Sequence, residues 1–201
     1  MRFNLPPEPP EFDQKVRQRG NAWLAKNPDS AKRLPDYWSA FKPYLADSFG
    51  NLCGYSAMYE PVGTVDHYLS RKYHRHLAYE WSNYRFASAW INSSKQEIDV
   101  QVLDPFEVED NWFEILLPSL QLVLTDAVPP QERQRAEFTL HRLHLRDDER
   151  VIRQRQQWYQ LYLDGDLTLE GLEKKAPLIA RAVRKQQQNS SANESSPHTP
   201  P

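Results

Sequence analysis

The chain has one cysteine, Cys53, so no intramolecular disulfide can form. It has no apolar run approaching the ~18–20 residues that a membrane span requires. Met1-Arg-Phe-Asn-Leu runs directly into Pro6-Pro-Glu-Pro-Pro, with no apolar leader between them. The expectation is a cytoplasmic protein with no membrane partner. Neither a glycine-rich phosphate loop nor an internal repeat is present, which sets aside a nucleotide-cradling loop and a solenoid. A large excess of one charge is also missing: the net charge of −2 excludes a uniformly basic nucleic-acid binder. What remains is globular in composition. At 201 residues, with 39% hydrophobic and 12% aromatic residues, the chain is long enough for one well-buried core.

The small net charge conceals an uneven distribution. Residues 15–45 carry seven Lys and Arg against Asp29 and Asp36, whereas residues 98–126 carry seven acids and no base. A basic face that attracts phosphates can therefore exist locally. Charge runs of this kind are also commonly no more than solvated faces.

The first ten residues form a proline-rich tail expected to be extended. A helix is expected from Glu11, with Phe12, Val16 and Trp23 at core spacing and Pro28 beyond its end. Residues 34–49 predict a second helix with Trp38, Phe41, Leu45 and Phe49 on one face. Gly50, Gly54, Pro61 and Gly63 then punctuate short segments, which predicts turns and short strands. A helix is expected over 84–95, capped by Ser82 or Asn83. The apolar run 112–124 is interrupted by Pro118 and fits strands or a broken helix. Helices are expected from Pro129 to Leu143, after an Asp147 cap as far as Gly165, and from Thr168 onward with a kink at Pro177. Residues 186–201 have nothing to pack and are expected to be disordered.

The central segment carries the chemistry. It reads Thr64-Val-Asp-His-Tyr-Leu-Ser, then Leu77-Ala-Tyr-Glu-Trp-Ser-Asn83-Tyr, then Trp90-Ile-Asn92-Ser-Ser-Lys95. Hydrolysis of a phosphodiester needs a water deprotonated and charge neutralised on the phosphoryl and leaving oxygens. Histidine titrates near neutral pH and can take the proton. A hard divalent cation takes oxygen donors and keeps several waters. Asp66 and Asn92 are suitable donors, and His67 is a suitable base. Asn83 can hold the histidine loop through backbone hydrogen bonds. Lys95, one helical turn beyond Asn92, can meet a phosphate. Each residue alone also has an ordinary structural reading, as a surface pair, a cap or a helix end.

Asp66-His67, Asn83 and Asn92-Ser-Ser-Lys95 together resemble the motif of the HNH, or ββα-metal, endonucleases. The likeness is nearest to a bacterial subset, some of it in anti-phage defence and including the Septu-type nuclease subunit, that shares Leu77-Ala-Tyr-x-Trp-Ser-Asn83. The motif likeness covers residues 50–97, and a weaker one extends over 6–165. The resemblance implies His67 as general base, Asp66 and Asn92 as ligands of Mg²⁺ or Mn²⁺, Asn83 as the residue orienting the loop, and Lys95 as an auxiliary phosphate contact. The fold it implies is α+β and mostly helical. A ββα-metal core over 50–97 would lie between N-terminal helices (11–49) and an acidic, then helical, C-terminal region (98–185).

The chain departs from that family at its scaffold. Many relatives hold a structural zinc with two Cys-x-x-Cys pairs. Here the four positions are Cys53, Ser56, Ser88 and Ile91, and a closed tetrahedral site needs four good ligands. No structural zinc is expected, and packing by Tyr55, Tyr59, Phe86, Trp90 and Ile91 would replace it. Arg71, Lys72, Arg75 and Arg85 fall between the motif residues and are candidate phosphate contacts, which carry no base information. The expected substrate is nucleic acid, DNA first, with a protein partner such as a defence-system ATPase supplying direction. The competing expectation is a catalytically silent module that binds nucleic acid or a protein.

Overall fold

The computed structural model describes residues 2–28 and 33–194. Residues 29–32, in the expected break after the first helix, and 195–201, the end of the expected polar tail, lie outside them. Residues 2–11 form a strap without regular structure. It is packed onto the molecule: Phe3 stacks on Phe49 with ring centres 4.8 Å apart, and the Trp81 indole donates to the Pro6 carbonyl at 3.0 Å. A wide helical turn, Asp13–Arg17, leads into α1 (Gln18–Lys26). The second expected helix is shorter than its apolar pattern. Only a tight turn, Ser39–Phe41, and α2 (Lys42–Ser48) are helical, although Trp38, Phe41, Leu45 and Phe49 are all buried.

Strands β1 (Thr64–His67) and β2 (Tyr84–Ala87) pair antiparallel, and α3 (Ala89–Lys95) follows. The expected helix over 84–95 is thus a strand followed by a short helix. Ser88 sits between them in extended conformation, at φ −62° and ψ 145°. Register explains why β2 gave no alternating signal. Val65 faces Phe86 and His67 faces Tyr84 on one side of the hairpin, while Thr64 faces Ala87 and Asp66 faces Arg85 on the other. Both sides are covered, so all four β2 residues are buried. Tyr84 and Phe86 enter an aromatic core with Phe3, Phe12, Trp38 and Phe41. Ala87 enters the second core, built mainly by the C-terminal half.

That half begins with the antiparallel pair β3 (Phe113–Leu116) and β4 (Gln121–Leu124), with Pro118 in the connection. Helices α4 (Pro130–Arg142), α5 (Glu149–Leu163), α6 (Leu169–Lys175) and α7 (Pro177–Glu194) complete it. Asp148, rather than Asp147, caps α5 by accepting from the Arg150 N–H at 3.0 Å. Thr168 caps α6 through the Gly171 N–H at 3.1 Å. At Pro177 the chain breaks instead of kinking. Ala176 leaves the helical region at φ −150°, and Pro177 opens α7, where its missing N–H costs nothing. Residues 186–194, expected to be disordered, are the last turns of α7. The molecule is α+β and mainly helical. Among the described residues no helix is long and apolar enough to cross a membrane.

Candidate functional site

An open cleft of about 690 Å³ runs along the end of the β1–β2 hairpin and α3. Asp66, His67 and Asn92 line it together with Arg33, Arg71, Lys72 and Arg75. Three of the five motif residues and three of the four expected phosphate contacts therefore line one cavity. Asn83, Arg85 and Lys95 do not line it.

His67 is buried at the end of β1. Its Nε2 lies 2.9 Å from the Ala78 carbonyl oxygen. A carbonyl can only accept, so Nε2 carries the proton, and in the neutral ring Nδ1 is left as a lone-pair acceptor. The Ala78 oxygen also accepts from the Tyr84 hydroxyl at 2.9 Å, which fixes it from a second side. Trp38 and Tyr84 hold the imidazole edge-on, at centroid distances of 4.7 and 4.9 Å. Burial, then the Arg71 charge, push the imidazole down to about 3, with Lys95 adding to the effect and the Ala78 hydrogen bond and Asp36 opposing it. At neutral pH the ring is uncharged.

Asp66, on the opposite face of β1, is almost fully buried. Oδ2 accepts from the Tyr55 hydroxyl at 2.6 Å and Oδ1 from Lys95 Nζ at 3.2 Å. Each carboxylate oxygen retains a further acceptor direction. Burial and the Asp66 charge hold the Tyr55 phenol well above its usual value, so it remains a donor.

Three expectations are corrected here. Lys95 is fully buried, and its ammonium donates to Asp66, to the His67 carbonyl at 3.0 Å and to the Tyr68 carbonyl at 2.9 Å. All three protons are used, so it is no phosphate contact but a clip from α3 onto the end of β1. Arg85 is buried as well. It grips Asp104 with Nε at 2.6 Å and Nη2, donates to the Ser82 and Tyr84 carbonyls, and lies 3.8 Å from the Phe106 ring centre. It belongs to the core, not to a nucleic-acid surface. Asn83 is no helix cap. Its Oδ1 accepts from the Leu69 N–H at 2.8 Å, and its Nδ2 donates to the carbonyls of Leu69 at 2.9 Å and Leu77 at 3.2 Å. The amide thus ties both ends of the loop that leaves β1, and it has no proton left for a substrate.

Asn92, on α3, donates through Nδ2 to Thr64 Oγ1 at 3.0 Å and the Val65 carbonyl at 3.4 Å. No donor among the described residues meets its Oδ1. The other basic groups occupy the cleft wall. Arg71 lies over Trp38 at 5.1 Å, Lys72 pairs with Glu97 at 2.6 Å, and Arg75 donates to the Asn27 carbonyl at 3.1 Å. His74 meets Asp99 at 3.1 Å, and Asp99 also accepts from the Ser70 N–H at 2.5 Å. The loop 70–75 is thereby pinned to the segment after α3.

Asp66 and Asn92 fit a hard divalent cation in donor type: one carboxylate and one amide oxygen on a shared cavity, with room for water and phosphate oxygens. Cys53, Ser56, Ser88 and Ile91, the positions at which the resemblance would place a structural zinc, offer a thiol, two hydroxyls and an isoleucine. Two of them meet: Cys53 Sγ accepts from the Ser88 N–H at 3.4 Å and lies 3.8 Å from Ser88 Oγ. Sequence reasoning missed Tyr55, Thr64, Trp38 and the Ala78 carbonyl as neighbours of the site. None stands at a spacing that betrays it, because each reaches its partner across the fold. No protein-family model matches the chain, and comparison with curated proteins finds no match.

Proposed function

We propose that the chain is a divalent-metal-dependent endonuclease of the HNH, ββα-metal type, acting on nucleic acid. What supports this most is the convergence of Asp66, the Asn92 amide oxygen and a neutral His67, its Nε2–H held by Ala78, on one cleft walled by arginines. Asp66 and Asn92 would hold Mg²⁺ or Mn²⁺, which supplies charge neutralisation at the phosphoryl and leaving oxygens. His67 accepts the proton of the attacking water at Nδ1, while Ala78 keeps Nε2 protonated and the ring aligned. A phosphate anion in the cleft opposes the Arg71 charge and moves the imidazole back toward the range in which it holds a proton. Arg71, Lys72 and Arg75 attract the backbone and carry no base preference. Lys72 leaves Glu97 as it does so. Structural zinc has no part in this reading, since the donor set at Cys53, Ser56, Ser88 and Ile91 does not suit it. DNA is the first substrate to test. An anti-phage role with a protein partner such as an ATPase is the cellular setting we infer.

One observation favours a second reading, a silent nucleic-acid-binding module. The Lys95 ammonium already neutralises Asp66, as a resident cation would. Incubation of supercoiled plasmid, single-stranded DNA and RNA with the protein in Mg²⁺, Mn²⁺ or chelator separates the two. The nuclease reading expects metal-dependent cleavage and a loss of about 10²–10⁴-fold in His67→Ala, the range of general-base contributions. No cleavage of any substrate in either metal, with or without the products of neighbouring genes, defeats it in favour of the binding module.

A further inference from the structure

Neither Tyr55 nor Thr64 lines the cleft, and each hydrogen-bonds a residue that does. The Tyr55 hydroxyl donates to Asp66 Oδ2 at 2.6 Å. Thr64 Oγ1 accepts from Asn92 Nδ2 at 3.0 Å and donates to the Ala87 carbonyl at 3.2 Å. That last bond fixes the direction of the hydroxyl. With its proton committed to β2, Thr64 presents a lone pair to Asn92, so the amide must turn its NH₂ toward β1 and its oxygen away. An amide free to flip would present the cation with N–H groups, and a carboxylate free to rotate would hold neither oxygen in place. Locking both leaves oxygen alone at the cavity.

The loop that carries Tyr55 is itself rigid. The Cys53 N–H donates to the Met58 carbonyl at 2.9 Å, the Ala57 N–H to the Cys53 carbonyl at 2.8 Å, and the Gly54 N–H to Phe86 on β2 at 2.8 Å. Tyr55 is thereby delivered to Asp66 by backbone bonds to the same hairpin that bears Asp66. We infer that Tyr55 and Thr64 are positioning residues that orient Asp66 Oδ2 and Asn92 Oδ1 for a divalent cation, an inference that rests on the metal-dependent reading above. Groups that orient metal ligands from behind typically change metal affinity 10–100-fold when removed.

Mn²⁺ binding to the intact protein, followed by loss of the free-ion paramagnetic resonance signal, tests this without any nuclease assay. Tyr55→Phe and Thr64→Val should each weaken Mn²⁺ binding about 10–100-fold, at a temperature where circular dichroism shows each variant folded. Thr64→Ser, which keeps the Oγ, should restore affinity. Tyr44→Phe, at an exposed phenol outside the cleft lining, should match wild type. If wild type binds Mn²⁺ and both Tyr55→Phe and Thr64→Val bind it equally well, the positioning roles are wrong and the nuclease reading stands. If wild type binds no Mn²⁺, both fall together.

Discussion

Replacing Arg85 should unfold the protein more readily and, on the nucleic-acid reading proposed above, leave nucleic-acid binding unchanged. In the sequence Arg85 is one of several arginines scattered among motif residues, and a phosphate contact is the natural expectation. In the fold its side chain and that of Asp104 are 5% and 9% exposed, joined by two hydrogen bonds. Arg85→Ala leaves Asp104 charged in the core, strips a donor from the Ser82 and Tyr84 carbonyls, and removes the cation over Phe106. Breaking one side of a buried pair costs about 3–5 kcal/mol. At an m-value of about 2 kcal/mol per molar, that lowers the urea midpoint by about 2 M. Arg85→Met combined with Asp104→Leu removes both charges together and should recover most of the loss. The Phe106 N–H, which donates to Asp104 at 3.0 Å, would still lose its partner at a cost of about 1–3 kcal/mol.

Salt dependence supplies the second half of the test. A cation that neutralises one phosphate contributes about 0.9 to the slope of log affinity against log salt. Among folded molecules, Arg71→Ala should lower that slope by about this amount, and Arg85→Ala should leave it unchanged. An Arg85→Ala protein with a wild-type urea midpoint and a slope reduced by about 0.9 would refute the core assignment and restore the phosphate contact.

Two further outcomes follow from the same packing. His67 has a lowered folded-state value, about 3 against an ordinary 6.5, so between these limits the unfolded chain binds more protons and stability falls as pH drops from 6.5 toward 3. His67→Gln removes that dependence, and its stability gap to wild type at pH 7 should change by about 2 kcal/mol in the variant's favour at pH 5; a constant gap in urea melts at the two pH values counts against a buried neutral imidazole. Gly20 has room for no side chain, since a Cβ there would lie 2.1 Å from the ring of buried Tyr79. Gly20→Ala should cost about 1–3 kcal/mol and lower the thermal midpoint by about 2–12 °C; an unchanged midpoint would mean that α1 does not lie on that ring.

The legible parts of the sequence were those governed by local chemistry. Capping at Thr168, the opening of α4 at Pro129-Pro130 and the stop at Gly165 need only near neighbours, and the structure has each within a residue or two of its expected place. The strand β2 was misread as helix because Tyr84-Arg-Phe-Ala is buried on both faces, which erases the alternation that marks a half-buried strand. The cleft residues Asp66, His67 and Asn92 could be picked out by type and spacing. The fates of Lys95 and Arg85 could not, because whether a cation faces solvent or a carboxylate depends on elements far away in the chain. Asp104 lies 19 residues from Arg85, and Asp66 lies 29 from Lys95. The helix spacing rightly put Lys95 one turn beyond Asn92 but was silent on its being turned inward.

On the HNH reading proposed above, three of four zinc thiolates are missing, and the two cores are large enough to stand in for them. In an isolated finger, zinc supplies roughly 10–16 kcal/mol of folding free energy, because a few dozen residues have almost no interior. The β1–β2 hairpin here is not isolated. Phe86 and Tyr84 are sunk in the aromatic core on one side, and Ala87 and Ile91 in the larger core on the other. Full burial of one large side chain contributes about 1.5–3 kcal/mol, so several such residues match a metal site in scale. The loop at Cys53 and Ser56 is held by backbone bonds, including that from the Gly54 N–H to the Phe86 carbonyl. Bonds of this kind fix the distance from loop to strand, which is what sets Tyr55 against Asp66. On the HNH reading, a scaffold wrapped on both faces can therefore do without zinc thiolates and still hold the carboxylate in place. Asp66, His67 and Asn92 have no such substitute, since no packing contact replaces an oxygen donor or a proton acceptor. On the metal-dependent reading, the side chains that face the cleft are the ones whose chemistry the fold has to keep, and the positions behind them need only hold their shape.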